Sequence, residues 1–148
     1  MSYTSLNYHV VFSTKSRKPL LTPDILKRAC HYMGGIIRQL NGKMLVGNGQ
    51  PDHVHLAAVI PPTIQLADLV GKVKSNTTGW IHRTFPALRD FRRQDGYAAV
   101  TMSPSVLKQV EHYIRSQQQH HKTTTFKEEL IALLEEHGIE YDAKYLWA

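Results

Sequence analysis

Hydrophobic and polar positions alternate with two different periods along this chain, and the switches between them mark the elements. Residues 6–14, Leu-Asn-Tyr-His-Val-Val-Phe-Ser-Thr, are rich in β-branched and aromatic types and predict a strand. Lys15 to Leu21 is a basic loop. Thr22-Pro23-Asp24 reads as a cap with proline at the first helical position. A helix then runs to about Leu40, with Ile25, Ala29, Met33, Ile36, Ile37 and Leu40 on its apolar face. Asn41-Gly42 stops it. Lys43 to Gly47 predicts a second strand, Asn48-Gly49-Gln50-Pro51 a turn, and His53 to Ile60 a third, central strand. After Pro61-Pro62, a helix is expected from about Ile64 to Phe85, weakened by Gly71 and Gly79. Tyr97 to Met102 forms a fourth strand. Ser103-Pro104 opens a helix that reaches about Gln119, and Thr125 caps a last one from Phe126 to His137, ended by Gly138. The order βαββαβ is that of a ferredoxin-like split unit, an α+β fold with an antiparallel sheet.

Composition narrows the class. A chain of 148 residues fits one domain, 1–148, with residues 120–148 as a helical extension. There are 18 Lys+Arg against 12 Asp+Glu, giving +6 with neutral histidine, which favours a polyanionic partner. The bases cluster at Lys15, Arg17 and Lys18, at Lys72 and Lys74, and at Arg89, Arg92 and Arg93. The acids Glu128, Glu129, Glu135, Glu136, Glu140 and Asp142 gather late, so the basic surface belongs to the body and the acidic one to the tail. Cys30 is the single cysteine, which excludes an internal disulfide and fits a cytoplasmic protein. Its helical setting points to packing. No signal peptide is expected, and no stretch approaches the ~18–20 apolar residues of a membrane span.

The chemistry concentrates in two motifs. In Asp52-His53-Val54-His55-Leu56 the two histidines share one face of a strand, so both imidazoles can chelate one divalent ion. At this spacing they can equally serve as hydrogen-bonding groups on a half-exposed strand. Tyr113-Ile114-Arg115-Ser116-Gln117 places a phenol and a carboxamide one helical turn apart. A phenol with an ordinary pKa near ~10 needs help to attack at neutral pH, and a metal-bound phosphate provides it.

These motifs resemble a family. His53-Val54-His55 resembles the histidine-hydrophobe-histidine signature of HUH endonucleases. Gln50 to Leu56 resembles its form in the single-tyrosine transposases of small insertion sequences, IS200-like enzymes that include the repetitive-element-associated tyrosine transposases. Tyr8 to Lys15, Arg17, Pro19-Leu20-Leu21, Gly96-Tyr97-Ala98-Ala99, Ser103-Pro104-Ser105 and Tyr113-Ile114-x-x-Gln117 match the same pattern, from about Tyr3 to the end. Arg93 departs from it, since an aromatic is expected there.

The resemblance implies a four-stranded antiparallel sheet with the nucleophile helix laid against it. It implies a DNA transposase that cuts and rejoins single-stranded DNA through a 5′-phosphotyrosine at Tyr113. Mg²⁺ or Mn²⁺ would be held by His53, His55 and the amide oxygen of Gln117, with His120 and His121 as competing third ligands. It implies a hairpin-bearing DNA partner and a homodimer. Lys15, Arg17, Lys72, Lys74, Asn76 and Arg83 are the candidates for DNA contact. Three other readings stay open at this point. One is a non-catalytic nucleic-acid-binding module on the same fold. Another is a zinc-dependent hydrolase, although no HExxH occurs. The third is a domesticated relative that cuts chromosomal hairpins.

Overall fold

The computed structural model describes residues 2–93 and 95–146. Four strands, β1 (Asn7–Ser13), β2 (Lys43–Gln50), β3 (His53–Val59) and β4 (Ala98–Met102), form one sheet in the order β2-β3-β1-β4. Every pairing is antiparallel. Helices α1 (Pro23–Gln39) and α2 (Leu66–Thr84) follow β1 and β3, which gives the expected split unit. Beyond it lie α3 (Pro104–Arg115), α4 (Gln117–His120), α5 (Phe126–Glu136) and a short α6 (Ala143–Leu146).

Strand alternation sorts the two sheet faces. Val10 and Phe12 of β1 and Val54, Leu56 and Ala58 of β3 pack on Leu26, Ala29, Cys30, Met33 and Ile37 of α1 and Leu69, Val70 and Val73 of α2. This is the main core. Cys30 is buried inside it, and burial pushes its thiol up to about 12, as a packing role requires. The opposite face carries His9, Val11, His53, His55 and Ala57, and α3 and α5 cover it through Ile114 and through Phe126, Leu130 and Leu134.

Two of the three predicted caps bond as expected, whereas Ser103 stands at the start of α3 without a side-chain bond to that helix's backbone. Thr22 accepts from the Ile25 backbone, and Thr125 with Glu128 forms a reciprocal capping box on α5. Asn41 ends α1 in the left-handed conformation, φ 68°. Two boundaries differ from expectation. Asn48, Gly49 and Gln50 belong to β2, pairing with His55, Val54 and His53, so the turn shrinks to Pro51-Asp52. Gly49 permits this, because a Cβ there would collide with the His53 carbonyl. The Tyr113 helix also breaks at Ser116 (φ −95°, ψ 19°), so Tyr113 and Gln117 lie on either side of a bend.

Candidate active site

His53 and His55 emerge from β3 onto the face covered by α3 and α5, each about 1 % exposed. One carboxylate, Glu129 of α5, meets both of them. Its Oε1 lies 2.8 Å from His55 Nε2, 3.3 Å from His53 Nε2 and 3.1 Å from His121 Nε2. Its Oε2 accepts from Gln117 Nε2 at 3.0 Å and from the Tyr113 hydroxyl. His120 Nε2 stands 3.5 Å from the same oxygen. Gln117 is fully buried, with its Oε1 3.2 Å from His53 Nε2. The nucleophile candidate and the metal-ligand candidates thus converge on one point within one chain.

A second ring of contacts orients the imidazoles. Asp52 holds His53 Nδ1 at 2.7 Å. Buried His9 on β1 meets His55 Nδ1 at 2.8 Å. His55 is lowered by burial. In one tautomer its Nε2–H donates to Glu129 and its Nδ1 accepts from His9; in the other its Nδ1–H donates to His9 and leaves Nε2 free to ligate a cation. Burial, with the His55 ring adding to it, takes His9 down to about 3. Phe126 stacks on the His53 ring with centroids 4.1 Å apart, which fixes its plane.

The electrostatics follow from this crowding. Burial alone would push Glu129 up, but hydrogen bonds from His53, His55 and Tyr113 outweigh it and hold the carboxyl well below its usual range. Burial likewise pushes His53 down, and its bonds to Asp52 and Glu129 reverse this and raise it. His121 is lowered by burial. Tyr113 is raised, first by burial and then by its bond to the Glu129 carboxylate. Without a cation beside it, Glu129 therefore opposes formation of the phenolate.

The donor set suits a divalent cation. His53, His55, His121 and Glu129 each offer a ligand atom, and these atoms all lie within 4.8 Å of one another. Three imidazole nitrogens with one carboxylate oxygen suit a divalent transition ion such as Mn²⁺ better than Mg²⁺, which prefers oxygen ligands and would need water and phosphate to complete its shell. A cavity of about 390 Å³ opens beside the cluster, lined by His55, Tyr113, Val100, Met102, Val110 and Leu133 among others. It gives a substrate room next to the phenol.

The DNA-contact candidates are spread over the molecule. Lys15 and Arg17 are exposed on a tight turn, with Ser16 and Arg17 both at left-handed φ, near 55°. This turn abuts the start of β3, since Thr14 N donates to the Asp52 carbonyl at 2.9 Å. Lys72, Asn76 and Arg83 are exposed along α2. Lys74 is different. It is buried, its Nζ donates to the Gly96 carbonyl at 2.5 Å, and burial, with Arg93 adding to it, lowers it to about 8. As placed, its amine points inward. Arg93 bridges Thr14 at the end of β1 through its backbone.

The family profile described as transposase IS200 like matches residues 2–117. The chain belongs to the IS200-like transposase family. It is 27% identical over 119 residues to the transposase for insertion sequence element IS200 of Salmonella typhimurium, covering 74% of this chain and 75% of that protein. It is 24% identical over 117 residues to the ISDra2 transposase TnpA of Deinococcus radiodurans, covering 76% and 84%. Its fold is similar to that of a candidate transposase of Deinococcus radiodurans R1, with TM-score 0.65, 23% identity, and 78% and 93% of the two chains covered. It is also similar to a repetitive-element-associated tyrosine transposase bound to its hairpin, with TM-score 0.59, 15% identity, and 82% and 72% covered. As a family member the chain is a transposase, with an α+β fold of HUH type.

Sequence reasoning missed Glu129, which it assigned to an acidic tail. A signal was present. Phe126, Leu130, Leu133 and Leu134 set the apolar stripe of α5, and Glu129 falls on that stripe at helical spacing. It also lies beyond the residues that the family profile matches.

Proposed function

We propose that this transposase cuts and rejoins single-stranded DNA through a covalent phosphotyrosine at Tyr113. The observation that carries this reading is the convergence of the Tyr113 phenol, His53 and His55 on Glu129. The phenol oxygen attacks the scissile phosphorus, the bond to the 3′ oxygen breaks, and a 3′-hydroxyl leaves with a proton. The 5′-phosphate stays on Tyr113. One phosphodiester replaces another, so a 3′-hydroxyl can attack in return and rejoin the strand without an external energy source.

His53, His55 and His121 with Glu129 would hold the metal, and Gln117 supplies a further oxygen at its edge. Mg²⁺ or Mn²⁺ bound there supplies positive charge for the non-bridging phosphate oxygens and offsets the Glu129 charge beside Tyr113. Asp52 and His9 keep the two imidazoles aimed. Because α5 contributes Glu129, we take the whole of 1–148 as one catalytic domain.

The partner is a hairpin-bearing single strand, supported by the likeness in fold to the hairpin-bound neighbour and by the exposed bases at Lys15, Arg17, Lys72 and Arg83. Asn76, exposed beside them, completes that surface; Lys74 supports α2 from within. A cytoplasmic setting suits this chemistry, and among the described residues no helix is long and apolar enough to cross a membrane.

The test uses strand polarity. With metal and a hairpin-bearing strand labelled at its 3′ end, a denaturant-resistant protein–DNA band is expected. A 5′ label should leave on a free fragment ending in a 3′-hydroxyl. A water-dependent product with no adduct would make the chain a hydrolase instead.

Joining two ends with one tyrosine per chain calls for two sites, and β2 and β4 stand at the two edges of the sheet. We therefore expect a homodimer. Light scattering should give twice the 16.9 kDa chain mass at micromolar concentration. A monomer mass throughout would count against it.

A further inference from the structure

The bend at Ser116 separates the nucleophile from Gln117, and one side chain from the sheet grips both sides of it. Asn48 lies on β2 directly opposite His55, on the same sheet face. Its Nδ2 donates to the carbonyls of Ile114 at 3.0 Å and Arg115 at 3.1 Å, the last residues of α3. It also meets Gln118 Oε1 at 3.1 Å, on α4. Gln118 answers: its Nε2 donates to Asn48 Oδ1 at 2.9 Å and to the Gly49 carbonyl at 3.1 Å. The two carboxamides are paired head to head across the bend.

We infer that Asn48 and Gln118 form a positioning clamp that sets the α3–α4 bend and thereby aims Tyr113 and Gln117 at the histidine pair. Neither side chain touches the reacting groups. Tyr113 lies just before the clamped carbonyls, and Gln117 lies next to Gln118 with its side chain turned the opposite way, into the cluster. Ile114, fully buried against Ala57 and Met102, fixes the depth of α3 on the sheet but not the direction of the chain after it. Rotation about Ser116 would carry the Gln117 amide away from His53 while leaving Ile114 seated. The clamp resists that rotation. Its bonds are largely solvent-exposed, so they contribute little to global stability. Their effect falls on geometry, where a displacement of about 1 Å can cost on the order of 100-fold in rate.

The inference rests on the phosphotyrosine reading for its kinetic test, and a second measurement frees it from that reading. Asn48→Leu, Gln118→Leu and the double variant are compared with the full-length parent. Four quantities are measured: single-turnover adduct formation at saturating metal, affinity for hairpin DNA, affinity for Mn²⁺ alone, and thermal stability. Each single variant should slow adduct formation by about 10- to 100-fold, with DNA affinity within about twofold and a melting shift of only a few degrees. The double variant should be no slower than the worse single one, because the amides act as a unit. Mn²⁺ affinity should fall in Asn48→Leu through misplacement of Gln117. Rates and Mn²⁺ affinities equal to the parent's would overturn the clamp, as would a rate loss that merely tracks lost stability or lost DNA affinity. If the parent itself forms no adduct, the phosphotyrosine reading fails. Mn²⁺ affinity then decides the clamp alone: a fall in Asn48→Leu upholds it and no change overturns it.

Discussion

Tyr113→Phe is expected to eliminate the covalent protein–DNA band, a loss on the order of 10⁴-fold or more, while leaving the fold in place. The substitution removes one oxygen and keeps the ring that packs near His55 and His120, with centroid distances of 5.8 and 4.9 Å. Glu129 loses one hydrogen bond but retains those from His55, Gln117 and His121. The stability cost should therefore be about 1 kcal/mol. DNA affinity should be unchanged, since the phenol binds no phosphate until it attacks. Gel analysis under denaturing conditions, beside thermal melting of the same preparation, separates a chemical loss from a folding one. An adduct that persists in Tyr113→Phe would exclude Tyr113 as nucleophile, and Tyr97, exposed ahead of β4, would be the next to replace.

How far the sequence discloses this site depends on where each group comes from. His53 and His55 are legible because strand periodicity alone puts them on one face. Tyr113 and Gln117 are legible as a helical pair, although the bend at Ser116 is not, since nothing in Arg115-Ser116-Gln117 marks a break. The bend depends on Asn48, far away in sequence, which reads locally as a turn residue and is held in β2 by its ladder with β3. Lys74 shows the reverse error. Basic residues are ordinarily solvated, yet its place on α2 turns it toward Gly96. His9 was hidden inside an ordinary strand pattern, and its role depends on the β1–β3 register. Glu129 is the clearest case. Composition averages it into an acidic tail, whereas helix phase sets it apart, and only the docking of α5 on the sheet gives it partners.

Replacing His53 or His55 by Ala should abolish cleavage in Mg²⁺ or Mn²⁺ and leave hairpin binding largely intact. Each change removes a ligand and also strips a partner from a buried carboxylate, so some destabilisation, roughly 1–3 kcal/mol, will accompany it. Assays well below the melting temperature keep the two effects apart. Glu129→Gln is the sharper probe, because it preserves shape and deletes charge. It should weaken Mn²⁺ binding by at least about 10- to 100-fold in calorimetry, the loss that even the hydrogen-bonding partners of metal ligands produce. Faster cleavage in Glu129→Gln, with Mn²⁺ affinity unchanged, would instead make Glu129 a group that merely restrains the Tyr113 phenol. The pH dependence follows the ligands' own affinities for protons. His55 and His121 are lowered by burial, whereas His53 is raised by its bonds to Asp52 and Glu129, so His53 is the first to compete protons against metal as pH falls. Metal affinity should accordingly decline from the upper end of the imidazole range downward. In Asp52→Asn, which removes a charge that holds His53 up, the decline should begin at lower pH. Cleavage near the parent rate by the His53→Ala, His55→Ala double variant would sink the metal assignment, whatever the single variants do.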